Sequence, residues 1–379
     1  MSGANSSYRV LEVNTAVRHL PTAGALVKCA KGEVGLDSLL TCLFQWSNRT
    51  SEAYVQLGND YSRFSGRVTT WKDGSHVSNS AAAMRYLSFL SDLALVTRGG
   101  NLVRRTWDGE LLCALDEKDV EPAPFTVGAH TALFFLQTLL RADTDGILTV
   151  LQMVMTLGEA TLNQLQRGLQ RALVDRLAVK ASLARTDDVA RALAFKANSI
   201  QTEWRAPERY AEHIVPPRLG WLTDLGLVSV TAVGTSKTHS LTDSGRNIAT
   251  LLRVGQGEDV LDVSDDWLLA NSPGSLVKAL LGTKADWSLL SDEERLKIMR
   301  GYVGAAVDRF TYATVGRASL RHVLEYTAVR AGVERSVAVS RQELQRWWKS
   351  NEVADDSFSY RIYEGARDTE SFVLASELA

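Results

Sequence analysis

The 379-residue sequence predicts a mainly α-helical chain with short β-hairpins, an α+β architecture, and three observations predict it. The first is an order of elements that occurs twice. Residues 80–112 (SAAAMRYLSFLSDLALVTRGGNLVRRTWDGELL) and 207–252 (PERYAEHIVPPRLGWLTDLGLVSVTAVGTSKTHSLTDSGRNIATLL) each carry a helically spaced apolar stretch ending in a Leu-X-X-Leu step. A short β-type run, a polar turn, a second run ending at Thr and a small-residue helix start then follow. The second observation is a looser copy of this order near the C-terminus. The third is a pair of acidic linkers, Leu115–Pro124 and Gly255–Asn271, that cut the chain between the copies.

The elements follow in order. In Val34–Trp46, Leu36, Leu39, Leu40, Leu43 and Phe44 form a helical stripe, and Asn59–Gly74 is loop-like. Ser78 or Ser80 caps the next helix, whose Met84, Leu87 and Leu90 face inward. Gly99-Gly100-Asn101 marks a tight hairpin rather than a phosphate cradle. After the first linker come three helical stretches, Thr131–Leu140, Ile147–Leu157 and Thr161–Leu173, then a polar and basic stretch, Ala178–Trp204, with little to fix its ends. Pro216-Pro217 predicts a break in the helix that opens at Pro207, with Pro217 in the first turn of a new helix, Arg218–Leu225. Leu227–Val230 and His239–Leu241 form the second hairpin, and Thr242-Asp243-Ser244-Gly245 caps a closing helix. Beyond the second linker, Glu294–Phe310 is amphipathic, Leu320–Ala331 is helical, and Ser340 and Glu343 stand in capping-box relation. Phe358–Tyr363 and Ser371–Leu374 supply a third hairpin.

Helix, strand, turn, strand, helix is the order of the recognition helix and wing of a winged helix. The chain therefore reads as three tandem winged-helix-like domains, 1–117, 122–255 and 272–379.

Composition bounds the function. No stretch approaches 18 uninterrupted apolar residues and the N-terminus lacks the order of a signal peptide, so the expectation is a cytoplasmic chain with no membrane partner. Cys29, Cys42 and Cys113 have no CxxC spacing and are expected to be small core residues rather than a disulfide framework or a zinc site. No histidine metal spacing, P-loop, dinucleotide fingerprint or hydrolase elbow occurs, so no cofactor is expected. The net charge of −2 argues against a dedicated DNA binder, but it hides a pattern. Gln164–Gly220 carries ten Lys or Arg against six Asp or Glu, and Arg295–Arg367 thirteen against eight. Between them Gly255–Glu294 has nine acids and two lysines. This alternation suits basic binding faces joined by an acidic connector, and it equally suits ordinary solvated helix faces.

The step Trp221-Leu222-Thr223-Asp224-Leu225-Gly226-Leu227-Val228 resembles the second recognition subdomain of the FokI-like type IIS restriction endonucleases, and Asn79–Leu115, with its Thr106-Trp107-Asp108-Gly109 helix start, resembles the first. The resemblance covers about residues 78–255. It implies three tandem DNA-recognition subdomains, followed in that family by a metal-dependent nuclease domain built on a carboxylate and lysine constellation. This sequence departs there. Glu117-Lys118 lies in a linker, and Glu294 and Lys297 have the wrong spacing on a helix, so no nuclease motif is found. The resemblance then implies recognition of double-stranded DNA without cleavage, with a protein partner carrying the effector activity.

Base readout needs Arg, Lys, Asn or Gln on the exposed face of each third helix. The candidates are Asn79, Ser80 and Arg85 in the first unit, with Arg98, Arg104 and Arg105 on its wing as phosphate contacts. In the second they are Arg209, Tyr210, His213 and Arg218, with Lys237 and His239 on the wing. In the third, Arg341, Gln342, Gln345, Arg346 and Lys349 form the densest face. Trp347-Trp348 is expected to place one ring in the core and one at an interface rather than to form a base-stacking platform. A recognition or sensing subunit of a restriction or defence-type complex is the leading expectation. A transcription or replication-initiation regulator and a protein–protein adaptor are the alternatives.

Overall fold

The computed structural model describes residues 8–56, 80–119, 123–233, 236–254, 263–282, 285–312, 316–365 and 371–377. These residues are mainly helical, with small, largely antiparallel sheets. In chain order the first elements are α1 (Leu20–Cys29), β1 (Glu33–Gly35), α2 (Leu36–Gln56), α3 (Ser80–Asp92), β2 (Val96–Gly99), β3 (Leu102–Arg105), α4 (Trp107–Asp116) and α5 (Ala129–Ala142). Next come α6 (Thr144–Leu157), β4 (Ala160–Thr161), α7 (Leu162–Ser182), α8 (Asp187–Glu203), α9 (Pro207–Asp224), β5 (Val228–Val233), β6 (Ser236–Leu241) and α10 (Asp243–Leu251). The last are α11 (Asp265–Asn271), α12 (Gly274–Leu281), β7 (Ala285–Asp286), α13 (Asp292–Phe310), β8 (Thr311–Tyr312), β9 (Arg317–Ser319), α14 (Leu320–Arg335), β10 (Val337–Ala338), α15 (Arg341–Lys349), β11 (Val353–Ala354), β12 (Phe358–Tyr363) and β13 (Phe372–Glu377).

One arrangement of helices and strands recurs three times. A helix leads into a strand of two or three residues, a second helix follows, a later helix leads into a hairpin, and the short strand pairs with the hairpin's second arm. β1 pairs with β3, which pairs with β2. β4 pairs with β6, which pairs with β5. β9 pairs with β13, which pairs with β12. All six pairings are antiparallel. In the second copy α8 is inserted before the helix that leads into the hairpin, and in the third β8 and β11 widen the sheet to five strands.

The chain divides into two compact units. The first holds 1–105, 121–127 and 138–263, and the second holds 106–120, 128–137 and 264–379. The first unit thus contains the first two copies of the arrangement. Its core gathers Leu20, Leu26, Leu39, Leu43, Phe89 and Leu95, and Trp221 of α9 stacks on Phe89 of α3 with 4.9 Å between ring centroids. Core side chains of the second unit include Val303, Phe310, Val323, Leu344 and Val373.

Local chemistry sets the boundaries. Thr106, Thr161, Thr242 and Ser340 each accept a backbone N–H at the start of the helix they cap. Thr161 with Gln164, Ser291 with Glu294, and Ser340 with Glu343 close reciprocal capping boxes. The turn between β2 and β3 places Gly100 at φ +61°, a region glycine enters without Cβ strain.

Two expectations are corrected. α9 runs unbroken through Pro216 and Pro217. The two carbonyls that lose an N–H partner belong to Glu212 and His213, whose side of the helix is exposed, so water can take the missing donors' place. Cys29 and Cys42 are disulfide-bonded, and Cys113 is a buried thiol outside that bond. The turn from α1 through β1 brings together two residues whose spacing carries no motif.

Candidate nucleic-acid interface

In the first copy Arg85 lies on the exposed face of α3 together with Ala81, Ser88 and Asp92. Arg98 and Arg104 are exposed on the β2–β3 hairpin, and Arg105 is half-buried at its base. Asn79 lies outside the described residues. The Arg98 Nε donates to the Gly100 carbonyl at 3.0 Å, which steadies the side chain beside the turn.

The second copy divides α9 into two halves of opposite character. Arg209, Tyr210 and His213 lie exposed in its first turns. Tyr210 stacks on Trp204, with 4.6 Å between centroids and 9° between planes. Lys237 is exposed on β6, and the His239 ring lies 3.2 Å from the Ala160 carbonyl, where it marks the pairing of β4.

Arg218, in the second half of α9, is corrected: it leaves the set of surface candidates because it is fully buried. Its guanidinium pairs with the equally buried Asp143 and donates to the carbonyls of Leu11 and Ile214, both at 2.9 Å. Asp145, two residues onward, accepts from Arg176 at 2.9 Å and from Lys180 at 2.9 and 3.0 Å. The same two aspartates accept the backbone N–H groups of Leu11 at 2.7 Å and Arg9 at 2.9 Å. The cluster therefore ties the N-terminal arm to α6, α7 and α9. Sequence reasoning missed it because an arginine beside a helix start reads the same whether it faces water or a buried carboxylate.

The third copy holds the most orderly face. Gln342, Gln345, Arg346 and Lys349 stand at i, i+3, i+4 and i+7 along α15 and share one side of it. Gln342, Arg346 and Lys349 are exposed and Gln345 is half-buried. Lys349 pairs with Glu364, but both side chains are well exposed, so the pair holds Lys349 weakly. Arg341 is corrected for the same reason as Arg218. It lies on the opposite side with Leu344 and Trp348, 5% exposed, its Nη1 3.0 Å from Glu325 Oε2. Trp348 is buried and donates to the Tyr360 carbonyl, which places the expected ring in the core, while Trp347 is half-buried against Trp287 of the same chain.

One arrangement with catalytic residue types escaped the sequence reading. Ser319 Oγ lies 2.8 Å from His322 Nδ1, and His322 Nε2 lies 3.1 Å from Asp108 Oδ1. The serine is fully buried and His322 is 3% exposed, so no substrate carbonyl reaches the hydroxyl. With the half-buried Asp108, they form a hydrogen-bonded chain that joins α4 to the start of α14. Among the described residues no group of three or more His, Cys, Asp or Glu is placed to hold a metal ion, and no helix is long and apolar enough to cross a membrane.

Comparison with protein-family models, curated proteins and solved structures returns no match to this chain.

Proposed function

We propose that the chain is a sequence-specific double-stranded DNA-binding protein built of three winged-helix modules. The observation that carries the reading is the threefold recurrence of one topology, in which the short first strand pairs with the second arm of the hairpin and the helix before the hairpin keeps an exposed face. Gln342, Gln345, Arg346 and Lys349 offer that face amide and cationic donors at the spacing a major groove accepts. Arg98, Arg104 and Lys237 lie on the wings, where they would meet phosphates. Arg85, Arg209 and His213 extend the same role to the first two modules. In this reading the chain is the recognition or sensing subunit of a restriction or defence-type system, and catalysis belongs to another chain.

A second reading, a protein–protein adaptor, is favoured by the overall charge of −2 and by Leu102, which is 49% exposed beside the tip of the first hairpin. Salt dependence separates the two. Phosphate contacts release counterions, so duplex affinity falls steeply as salt rises, with a log–log slope of about −0.9 per phosphate neutralised. Fluorescence anisotropy on a labelled duplex, titrated with the full chain at low and near-physiological salt, is expected to show that fall. No binding at low salt overturns the DNA reading and favours the adaptor.

A further inference from the structure

A cavity of about 400 Å³ opens in the first unit between the N-terminal arm and the start of α9. Its lining is rich in rings. Trp204 and Tyr210 form the parallel stack described above, and Tyr210 remains 45% exposed. Tyr8 carries the Lys196 ammonium 4.9 Å from its ring centroid. Glu12 and His213 add a carboxylate and an imidazole, and apart from Asn14 the remaining lining is aliphatic.

These groups select among ligand classes. A purely apolar ligand would desolvate the half-buried Lys196 ammonium without giving it a polar partner. A cationic ligand that sought the aromatic rings would meet Lys196, which already occupies the cation position over Tyr8. A planar heteroaromatic with an anionic substituent uses the rings, the ammonium and the carboxylate: its ring extends the Trp204–Tyr210 stack, its anion meets Lys196, and an amino group on the ring donates to Glu12. The volume lies at the small end of the range for ligand pockets and suits one nucleotide.

We propose that this cavity binds a single nucleotide with an amino-bearing base, stacked on Tyr210 and Trp204, its phosphate against Lys196 and its exocyclic amino group on Glu12. The ligand can come from two sources, a free nucleotide or a nucleotide turned out of a strand. The proposal goes beyond duplex recognition and does not require it.

The test uses the full chain and 2-aminopurine, whose fluorescence is quenched by stacking. One arm titrates the 2-aminopurine nucleoside monophosphate, and the other an oligonucleotide duplex with 2-aminopurine in a single-base bulge. Saturable quenching in the first arm identifies a free nucleotide as a ligand, and quenching in the second alone identifies an extruded one. Trp204→Ala is expected to weaken binding about tenfold or more. Lys196→Ala is expected to weaken binding of the nucleotide while leaving the phosphate-free nucleoside unchanged, a readout that a general loss of packing does not produce. Melting curves report whether each variant folds, and Lys196→Ala carries the test if Trp204→Ala does not. Quenching in neither arm, or quenching indifferent to Lys196→Ala, overturns the proposal. Duplex affinity measured by anisotropy is a separate readout: if it persists without quenching the cavity assignment alone falls, and if quenching by the free nucleotide persists without duplex affinity the DNA reading alone falls.

Discussion

Arg218 and Asp143 form an ion pair in which both side chains are fully sealed from solvent. Arg218 also holds the Leu11 carbonyl, and Asp143 the Leu11 N–H, so the pair joins α9 to the start of α6 and to the N-terminal arm at once. Removing one partner leaves the other charge buried without compensation. Asp143→Asn and Arg218→Met are each expected to cost about 3–5 kcal/mol, and the double variant less than their sum. Urea denaturation of the four proteins in a double-mutant cycle measures this. Additive losses would mean that the pair is not coupled.

Two aspartates give opposite pH signatures. Burial outweighs the Arg218 charge and raises Asp143 from 3.8 to about 6, so it is more readily protonated folded than unfolded. Its contribution is fully present below pH 3.8 and is lost as the pH rises through about 6. Burial acts in the same direction on Asp108, but hydrogen bonds and charge from His322 and Arg321 outweigh it and hold the carboxyl below its ordinary range. Its contribution is present above the unfolded value and is lost as acid protonates the folded chain, below about pH 4. Relative to wild type, Asp143→Asn should remove a decline in melting temperature between about pH 4 and 6, and Asp108→Asn a decline below about pH 4. Parallel curves for wild type and variants would contradict both assignments.

Gly220 lies where α9 meets the N-terminal arm, and a Cβ there would run into the Arg18 carbonyl, a backbone atom that cannot rotate away. Alanine usually favours a helix interior over glycine, by about 1 kcal/mol. Here Gly220→Ala is expected to destabilise by about 1–3 kcal/mol through overpacking. A chemical-denaturation midpoint unchanged or raised would show that the arm yields without cost.

The disulfide makes a counting prediction. Thiol titration of the denatured, unreduced chain should find one reactive cysteine, Cys113, and titration after reduction should find all three. Three thiols before reduction would contradict the Cys29–Cys42 bond.

Much of the fold was legible in the sequence because its signals are local. The caps at Thr106, Thr242 and Ser340, the Gly100 turn and the stripe of α13 each depend on a few neighbouring residues, and all stand where the spacing puts them. β1, β4 and β9 were not legible: strands of two or three residues have too few positions to show a period, and only their hairpin partners define them. α8 was missed as a distinct helix because its amphipathic face begins at a cap, Thr186, inside a polar run. The candidate site was half legible for a related reason. Helix periodicity places Gln342, Gln345, Arg346 and Lys349 together, but nothing local reveals that Arg341 answers Glu325, sixteen positions back, or that Arg218 answers Asp143 across the first unit.

Site-specific recognition of duplex DNA is tested by selecting bound sequences from a randomised duplex library at low and near-physiological salt. The full chain is compared with a Gln345→Ala/Arg346→Ala variant and with Arg341→Ala. Enrichment of one motif is expected, lost in Gln345→Ala/Arg346→Ala without loss of melting temperature, while Arg341→Ala melts lower because it leaves Glu325 buried and unpaired. Absence of any enriched motif at low salt, or enrichment indifferent to Gln345 and Arg346, would contradict this expectation.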